Sequence, residues 1–457
     1  MRPAAAESLD YTPSGGGFHG TDRRKLKCGV SDRGAVKHRL ARPHNRVPAG
    51  PTLHEEGTVS YAAIPAGRTA SVLEGKAGAA TWLAWRGREA ARRRASRQIE
   101  VNVEMAPVEL PDQRLNVIRN GGVWVPSPLA LDSDRNMLES WQRLLTLYYI
   151  RSGARTIIPG AHTGEFAGGN LSIFDRWLRL VAEMTREHGG PEMFLMAAVG
   201  GPDARRQAEA AAREGYDIVM VAPTAFAGKT DRGVVEVLDD IASIIPTFGF
   251  ELQRAIPGSR AFSPSLWEAV FQITYGAKGA SFDTYRSQVM LEAAARSARR
   301  EDLVMATGND DRIVADLGGR FPYRVGGDEV AMRYHAGLLG HFATDTRAAV
   351  RWASAVTAAR DGAKWALPVG EKELAHLVSM CNGALFDALG SFENSVWGVK
   401  CRLTELGLLP APHCFREWGR PGQCEAIRAA YSPYPFLSDE TYLAEHLPQM
   451  KKEVGLL

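Results

Sequence analysis

Long apolar runs are missing from this 457-residue sequence, and cysteine is scarce. No stretch approaches the ~20 apolar residues that a membrane-spanning helix needs, which excludes an integral membrane protein. The five cysteines are too few and too irregularly spaced for a disulfide framework. No CxxC pair or Cys/His cluster has the spacing of a zinc site. We therefore expect no membrane partner and a reducing, cytoplasmic setting.

The sequence also has little net charge, but its charged residues are unevenly distributed. The net charge is +3, yet residues 1–104 carry 18 Lys and Arg against 10 Asp and Glu, and residues 105–457 carry 37 against 42. The first segment shows no sustained apolar periodicity and no hydrophobic core of a secretory signal. An arginine-rich nucleic-acid arm is one interpretation, but the basic residues are scattered among acids without interleaved aromatics. We expect a disordered or mis-annotated N-terminal extension and no nucleic-acid partner.

Short runs rich in Val, Ile and Phe alternate with amphipathic segments from residue 105 onward. Eight such pairs in about 240 residues are typical of an α/β fold of the (β/α)8 TIM-barrel class. A doubly wound open sheet is the alternative, but it usually carries GxGxxG after its first strand, and here Gly121 and Gly122 precede that strand. We predict a barrel over residues 105–365. The predicted strands are residues 123–126, 155–159, 193–199, 218–222, 247–253, 273–278, 303–307 and 335–339.

Helical periodicity fills the segments between the predicted strands and continues after them. The predicted barrel helices are residues 135–151, 173–188, 202–214, 233–244, 263–271, 282–299 and 344–359. Strand signals stop near residue 366, and residues 371–386, 396–406 and 424–430 follow as helices. We therefore predict a C-terminal helical appendage over residues 366–457.

Two polar loops follow predicted strands, at the end of the barrel where active sites collect. Residues 160–165 (GAHTGE) offer a hydroxyl and several backbone N–H groups that could hold a carboxylate, although an ordinary turn is the alternative. Residues 307–311 (TGNDD) bring acids that could bind a metal, orient water or cap the next helix. No HxH, HxxxH or DxD…E set completes a metal site, so we predict no metal.

Lys278 ends the predicted sixth strand, among small and apolar residues. Inside a barrel mouth this lysine would be partly desolvated, which lowers the pKa of its amine and raises the neutral fraction. The neutral amine is the form that attacks a carbonyl carbon to make a Schiff base. A surface lysine just past the strand is the alternative interpretation.

Taken in order, these segments resemble the dihydrodipicolinate synthase/N-acetylneuraminate lyase family of class I aldolases. The resemblance covers nearly all of residues 115–410. The family's GTTGE, GIKEA, SGDD and VK…ELGL motifs are similar to residues 160–165, residues 276–280 (GAKGA), residues 308–311 (GNDD), and residues 399–400 with 405–408 (VK and ELGL).

The resemblance implies a TIM-barrel lyase in which Lys278 forms an imine with pyruvate or a related 2-oxo acid. Thr163 and the backbone N–H groups around Gly164 would then hold the substrate carboxylate. The resemblance further implies that no metal or organic cofactor is needed and that the chain assembles as a homo-oligomer, a dimer or tetramer.

The sequence departs from the family pattern where the family's proton-relay tyrosines stand. The fifth strand normally carries a tyrosine in a YNxP pattern, but residues 248–253 read FGFELQ, and the fourth-strand TPYY reads APTA at residues 222–225. The first threonine of GTTGE is His162. The Schiff-base lysine is therefore present, while other residues must move the protons.

His162 and Glu251 are the candidates for that proton transfer. A histidine has an unperturbed pKa near ~6.5, and a carboxyl in an apolar mouth has a raised pKa. His162 could instead be a hydrogen-bonded turn residue, and Glu251 an ion-pair partner of Arg254 or Arg260. Tyr285, in the helix after Lys278, is a third candidate or a packing residue.

We predict a Schiff-base lyase of small 2-oxo acids, with Gln253 or Arg260 contacting the polar tail of the substrate. One alternative is a Schiff-base dehydratase of a sugar acid. Another is a barrel without catalysis that acts as a binding or scaffold protein. A desolvated lysine such as Lys278 costs stability unless something uses it, which argues against the scaffold.

Overall fold

The computed structural model describes residues 107–254, 256 and 258–457. The predicted N-terminal extension, residues 1–104, lies outside the described residues. The strands are β1 (Gly122–Pro126), β2 (Thr156–Ile158), β3 (Met196–Val199), β4 (Ile218–Val221), β5 (Thr247–Leu252), β6 (Gly276–Ala280), β7 (Val304–Thr307), β8 (Phe321–Val325), β9 (Asp328–Met332) and β10 (Ala336–Leu338). The helices are α1 (Asp112–Arg119), α2 (Glu139–Ser152), α3 (Leu171–His188), α4 (Ala204–Arg213), α5 (Asp231–Ala242), α6 (Pro264–Ile273), α7 (Thr284–Arg296), α8 (Ile313–Gly318), α9 (Thr346–Arg360), α10 (Glu371–Leu385), α11 (Ser395–Glu405), α12 (Gln423–Tyr431) and α13 (Glu440–Glu453).

Eight of these strands form one parallel sheet that closes on itself. The strand order is β2-β1-β10-β7-β6-β5-β4-β3. Across the remaining gap between β2 and β3, the N–H of Phe194 donates to the carbonyl of Arg155 at 3.1 Å, and the N–H of Ala198 donates to the carbonyl of Pro159 at 2.9 Å. Helices alternate with the strands along the chain. The predicted (β/α)8 barrel is therefore confirmed.

The barrel interior is filled by large side chains from alternate strand positions. Trp124 lies edge-on to Phe194 and Phe248, with ring centroids 5.2 and 5.7 Å apart. Leu115 and Ile118 of α1 belong to the same apolar cluster. Since α1 leads into β1, it closes the amino-terminal end of the barrel and leaves the carboxyl ends of the strands for a site.

The helix α2 begins later than its periodicity predicts. Residues 135–151 were expected to be helical, but Arg135 has a positive φ of 69°. The Asp132 carboxylate accepts hydrogen bonds from the backbone N–H groups of Asp134 and Asn136, both at 2.8 Å. This local turn competes with the helix, which therefore starts at Glu139.

An antiparallel hairpin, β8 and β9, was not predicted. It pairs Phe321 with Met332 and turns at Gly326 and Gly327, which have φ values of 61° and 101°. Two consecutive residues with positive φ are what a tight hairpin turn requires, and glycine adopts them without strain. The hairpin packs against α7, where the Tyr323 hydroxyl donates to the carbonyl of Gln288 at 3.4 Å.

The C-terminal part of the described chain is helical, and it contains a disulfide bond between Cys401 and Cys424. This bond joins α11 to α12 and departs from the expectation of a setting that keeps thiols reduced. The two cysteines lie 23 residues apart and meet only because α11 packs on α12, which no spacing pattern signals. The predicted domain boundary at residue 366 stays a prediction.

None of the helices described between residues 107 and 457 combines the length and the apolar character needed to cross a bilayer.

Candidate functional site

A small cavity opens at the carboxyl ends of the barrel strands. It brings together four residues predicted from the sequence, namely Lys278, His162, Thr163 and Gln253. Phe282 and Phe392 cover it, with ring centroids 5.4 Å apart. The cavity volume is about 50 Å³, well below the ~300–1,000 Å³ of most small-molecule pockets. The cavity therefore has room for a very small ligand only.

Lys278 points into the barrel because alternate residues of β6 face inward. It pairs in register with Phe250 of β5 and Ala306 of β7, both of which belong to the interior cluster. The Lys278 side chain is only 7% exposed, and its Nζ lies 4.5 Å from the centre of the Phe250 ring. Burial lowers the pKa of Lys278 to about 8, although the nearby Asp310 carboxylate opposes this shift. A substantial fraction of the amine is thus neutral in mildly alkaline solution.

Gly308 leaves the space that the Lys278 side chain occupies. A Cβ atom at this position would lie 2.3 Å from Cε of Lys278 and 2.7 Å from the carbonyl oxygen of Leu338. Either distance is too short for a real contact, so a larger residue would displace the lysine. Gly308, the first residue of the GNDD segment, therefore allows the Lys278 amine to lie where it does.

His162 and Thr163 form the wall opposite β6, in the loop after β2. Burial lowers the pKa of His162 to about 4, and the positive charge of Lys278 contributes to the same shift. The imidazole is therefore neutral near pH 7 and can accept a proton or a hydrogen bond. Thr163 is 7% exposed and lines the cavity, where its hydroxyl is available to a ligand.

Gly164 has a packing role in this loop. Its N–H donates to the carbonyl of Ala161 at 2.9 Å. A Cβ atom at Gly164 would lie 2.4 Å from the Trp177 ring. The N–H of Gly164 itself, one of the backbone donors that the resemblance assigns to a substrate carboxylate, is thus already used inside the loop.

Glu251 lies on the outer face of β5 and does not line the cavity. Phe250 and Leu252 face the interior, so Glu251 between them faces the helices. Its carboxylate accepts hydrogen bonds from the Arg286 guanidinium and from the N–H of Phe262, and it is only 2% exposed. Burial raises the pKa of Glu251, while Arg286 opposes that shift. The structure therefore does not bring this candidate together with Lys278.

The other two sequence candidates also lie apart from the cavity. Tyr285 is 82% exposed, and the Arg260 guanidinium is paired with Asp231. Gln253, which follows the end of β5, is the polar residue of this segment that lines the cavity.

Asp310 is the carboxyl group that lines the cavity, and the sequence analysis did not select it. Its loop is held by Asn309, whose side-chain amide donates to Asp316 at 2.9 Å and to Ser287 at 3.0 Å. The Asn382 side chain donates to the Asp310 carbonyl at 2.6 Å. Burial raises the pKa of Asp310 well above its usual value, although the positive charge of Lys278 opposes the shift.

The signal for Asp310 was present in the sequence, but it was ambiguous. An acid after the seventh strand can cap the next helix, and that is its more frequent role. In the structure the helix α8 begins after Arg312 without a side-chain cap. Because β6 and β7 are neighbours, their carboxyl ends place Asp310 close to Lys278 instead.

Two segments that carry the family resemblance meet beside the cavity. Lys400 of α11, only 1% exposed, donates to Glu165 at 3.1 Å and to the carbonyl of His413 at 2.7 Å. Glu165 also accepts a hydrogen bond from the N–H of Phe415 at 2.8 Å. This buried ion pair fastens the GAHTGE loop to the C-terminal helices.

The same helix α11 contributes one wall of the cavity. Ser395, Val396 and Val399 line it. Ser395 is 8% exposed, and its hydroxyl has no hydrogen-bond partner among the residues that the structure describes. A buried hydroxyl without a partner is unusual in a folded protein, and a ligand in the cavity would be able to satisfy it.

A larger cavity, of about 860 Å³, lies elsewhere in the molecule. It is lined by residues next to the amino ends of the strands, such as Gly122 and His335, and Lys278 does not reach it. The amino-terminal face of a TIM barrel serves stability, whereas the chemistry collects at the other end. The small cavity around Lys278 is therefore the candidate site despite its size.

Comparison with known proteins yields structural matches only. No protein-family model matches the chain, and no curated protein is significantly similar in sequence. Dihydrodipicolinate synthase from Bacteroides thetaiotaomicron superposes with a TM-score of 0.55 and 15% identity, covering 68% of this chain and 98% of its own.

Two further solved structures give the same result. Dihydrodipicolinate synthase from Acinetobacter baumannii, in complex with pyruvate, has a TM-score of 0.53 and 16% identity, covering 74% of this chain and 99% of its own. N-acetylneuraminate lyase from Mycoplasma synoviae has a TM-score of 0.53 and 13% identity, covering 68% and 98%. The chain thus shares the fold of these enzymes at low sequence identity.

Proposed function

We propose that the protein is a divergent class I lyase of the dihydrodipicolinate synthase/N-acetylneuraminate lyase type, which binds pyruvate or a related 2-oxo acid as an imine on Lys278. One observation carries the proposal: a desolvated lysine faces the interior of a TIM-barrel mouth, where its amine is partly neutral. The neutral amine adds to the substrate carbonyl, and loss of one water molecule leaves the iminium. The iminium then draws electrons from the neighbouring carbon, so that a bond or a proton on that carbon can leave.

Thr163 and His162 would assist this reaction, since both line the cavity around Lys278. The Thr163 hydroxyl supports binding of the substrate carboxylate on the wall opposite Lys278. The imidazole of His162, neutral near pH 7, is suited to accept a hydrogen bond from the substrate or from an intermediate. Gln253 would contact the distal end of the substrate.

The size of the cavity bears on the choice between substrates. A volume of about 50 Å³ favours a compound as small as pyruvate over a sugar acid. A dehydratase of sugar acids would require the segment that carries Phe392 to move away from Phe282. A binding or scaffold protein would gain nothing from a buried amine, which costs stability wherever it is unused.

We extend the proposal to the setting of the protein. The chemistry of an imine on Lys278 requires no metal and no organic cofactor. Assembly as a dimer or tetramer, a cytoplasmic location and the lack of a nucleic-acid partner are further parts of the proposal, and they follow from the resemblance and the composition of the sequence. In that location the Cys401–Cys424 disulfide would be an exception to the usual reduction of cytosolic thiols.

Borohydride trapping tests the imine. The full-length protein would be incubated with pyruvate, other 2-oxo acids and lactate, reduced with borohydride, and examined by intact-protein and peptide mass. We expect a reduced pyruvate adduct on the peptide that contains Lys278, no adduct with lactate, and none with Lys278→Ala. Failure of every 2-oxo acid to label the folded wild-type protein would contradict the proposal.

A further inference from the structure

The cavity around Lys278 contains few groups that can move a proton. Among the described residues that line it, the titratable side chains are Lys278, His162 and Asp310, and none is a tyrosine. Glu251 is held by Arg286 on the far side of β5. Imine formation needs a group that both accepts and returns a proton. Besides Lys278 itself, His162 and Asp310 are the two lining residues that can do so.

Asp310 lines the cavity from a loop whose backbone is held in place. Its backbone carbonyl is fixed by Asn382, and the preceding Asn309 is fixed by Ser287 and Asp316. Lys278 lies on β6 and Asp310 in the loop after the neighbouring β7, and the two groups influence each other electrostatically. No ion pair within 4.0 Å joins them in the described structure. Both residues line the same small cavity, so a molecule bound there would lie beside both of them.

We propose that Asp310 is a catalytic residue that takes a proton from the Lys278 ammonium and returns it to the hydroxyl group that leaves as water. This inference rests on the proposed function and names the residue that replaces the missing tyrosines. The carboxylate removes one proton from the ammonium, which gives a neutral amine and a carboxylic acid.

The remaining steps balance without a further reactant. The amine adds to the carbonyl carbon, and a proton moves from nitrogen to oxygen to give a carbinolamine. The acid of Asp310 protonates the carbinolamine hydroxyl, the C–O bond breaks with its electron pair, and water leaves behind the iminium. The regenerated carboxylate can then accept a proton from the substrate methyl group, which gives the enamine.

The charges around Asp310 agree with this role. The positive charge of Lys278 on β6 acts on its carboxyl, and Asp311 beside it raises the pKa of that carboxyl further. His162 after β2 lines the same cavity. Burial favours the neutral form of both Lys278 and Asp310, which is the pair that exists after the first proton transfer. His162, with its pKa lowered to about 4, holds a proton too weakly to return it near pH 7.

Two rates measured on the full-length protein test the proposal. One is the exchange of pyruvate methyl protons into D2O, followed by NMR, and the other is borohydride trapping on Lys278 as a function of pH. We expect Asp310→Asn to slow the exchange at least about 100-fold, as loss of a general acid–base group does. The adjacent Asp311→Asn is the matched control. We expect it to exchange pyruvate protons within a few-fold of the wild-type rate, with a pH profile moved to lower pH, because loss of the Asp311 charge lowers the pKa of Asp310.

Chemical rescue separates proton transfer from a structural role. Added formate should restore part of the exchange in Asp310→Ala but not in Lys278→Ala, because it replaces the carboxyl and cannot replace the amine. If Asp310→Asn does not fold, Asp310→Glu carries the test. This variant keeps a carboxyl group, one methylene further from the backbone. We expect it to exchange the pyruvate methyl protons more slowly than the wild type, with a shifted pH profile.

The outcomes distinguish this proposal from the one on which it rests. Suppose that the wild-type protein forms the Lys278 adduct and that the Asp310 variants exchange pyruvate methyl protons at the wild-type rate with an unchanged pH profile. The role of Asp310 is then overturned, and the imine on Lys278 stands. If the folded wild-type protein forms no adduct with any 2-oxo acid, both are overturned. Slow exchange together with rescue by formate supports the proposal.

Discussion

At the scale of single residues, the candidate site is built from groups that a stable core would avoid. Lys278 and Asp310 are ionisable groups with perturbed pKa values, and the Ser395 hydroxyl is buried without a partner. Each of these groups disfavours the folded state unless a bound molecule compensates for it. Stability and ligand binding should therefore respond in opposite directions when such a group is removed.

Ser395→Ala tests this opposition. We expect the free energy of unfolding to rise by about 1 kcal/mol, because an unsatisfied buried hydroxyl is removed. We also expect half-maximal borohydride trapping to need a severalfold higher pyruvate concentration. Denaturant titration and the concentration dependence of trapping measure the two effects.

Ser152 supplies the matched control for this substitution. Its hydroxyl is also buried and has no partner among the described residues, but it lies at the end of α2, outside the cavity. Ser152→Ala should change the unfolding free energy in the same direction and leave trapping unchanged. A Ser395→Ala protein that traps pyruvate like the wild type would contradict a role of this hydroxyl in binding.

The residues of the site were only partly predictable from the sequence. Lys278 stood out as a single charge among small residues of a strand. Glu251 was expected in the barrel mouth but lies on the face of β5 that packs against the helices. The strands of a parallel barrel are buried on both faces, so the alternation of residues does not tell which face is inside. Asp310 was missed because an acid in a loop before a helix has a local explanation as a cap. Its nearness to Lys278 depends on the pairing of β6 with β7.

At the scale of secondary-structure elements, the site depends on a link between the loop after β2 and α11. The Glu165–Lys400 ion pair crosses that boundary, and both partners are at least nine-tenths buried. The loop carries Thr163 and α11 carries Ser395, so the pair sets two walls of the cavity relative to each other.

Lys400→Met should destabilise the protein by about 3 kcal/mol, because Glu165 would remain buried without its counter-charge. Arg428→Met is the matched control. Arg428 pairs with Glu405 at 2.8 Å but is 61% exposed, and loss of an exposed pair costs less than about 1 kcal/mol. Denaturant titration of both variants checks the difference. Equal losses of unfolding free energy in the two variants would mean that the buried Glu165–Lys400 pair stabilises the protein no more than an exposed pair does.

The elements themselves were predicted where hydrophobic periodicity was strong. Every predicted barrel strand overlaps a strand of the sheet, because each has a core of apolar residues. The hairpin of β8 and β9 was missed since its residues are half exposed and two charged residues, Asp328 and Glu329, begin β9. The helix α13 was missed because Pro448 interrupts its pattern, although the helix continues through it.

At the scale of the whole molecule, the barrel supplies the buried amine of Lys278, and the C-terminal helices line the other side of the cavity. Val396 and Val399 of α11 and Phe386 at the end of α10 all line that cavity. The Cys401–Cys424 disulfide fixes α11 to α12. The bond therefore acts on the walls of the site, although neither cysteine lines the cavity.

Reduction of this disulfide should loosen the C-terminal helices and weaken substrate binding. A bond between cysteines 23 residues apart stabilises a fold by about 3 kcal/mol, mainly by restricting the unfolded chain. We expect dithiothreitol to lower the melting temperature of the wild-type protein and to raise the pyruvate concentration needed for trapping. Cys424 is partly exposed, so a thiol reductant can reach the bond.

Cys424→Ser separates the bond from other effects of the reductant. The variant should melt at the temperature of the reduced wild-type protein and show no further change with dithiothreitol. Calorimetry of both proteins with and without reductant measures this. If dithiothreitol leaves the wild-type melting temperature unchanged while mass spectrometry confirms free thiols, packing of α11 against the barrel and the Glu165–Lys400 pair would be sufficient to hold the cavity closed.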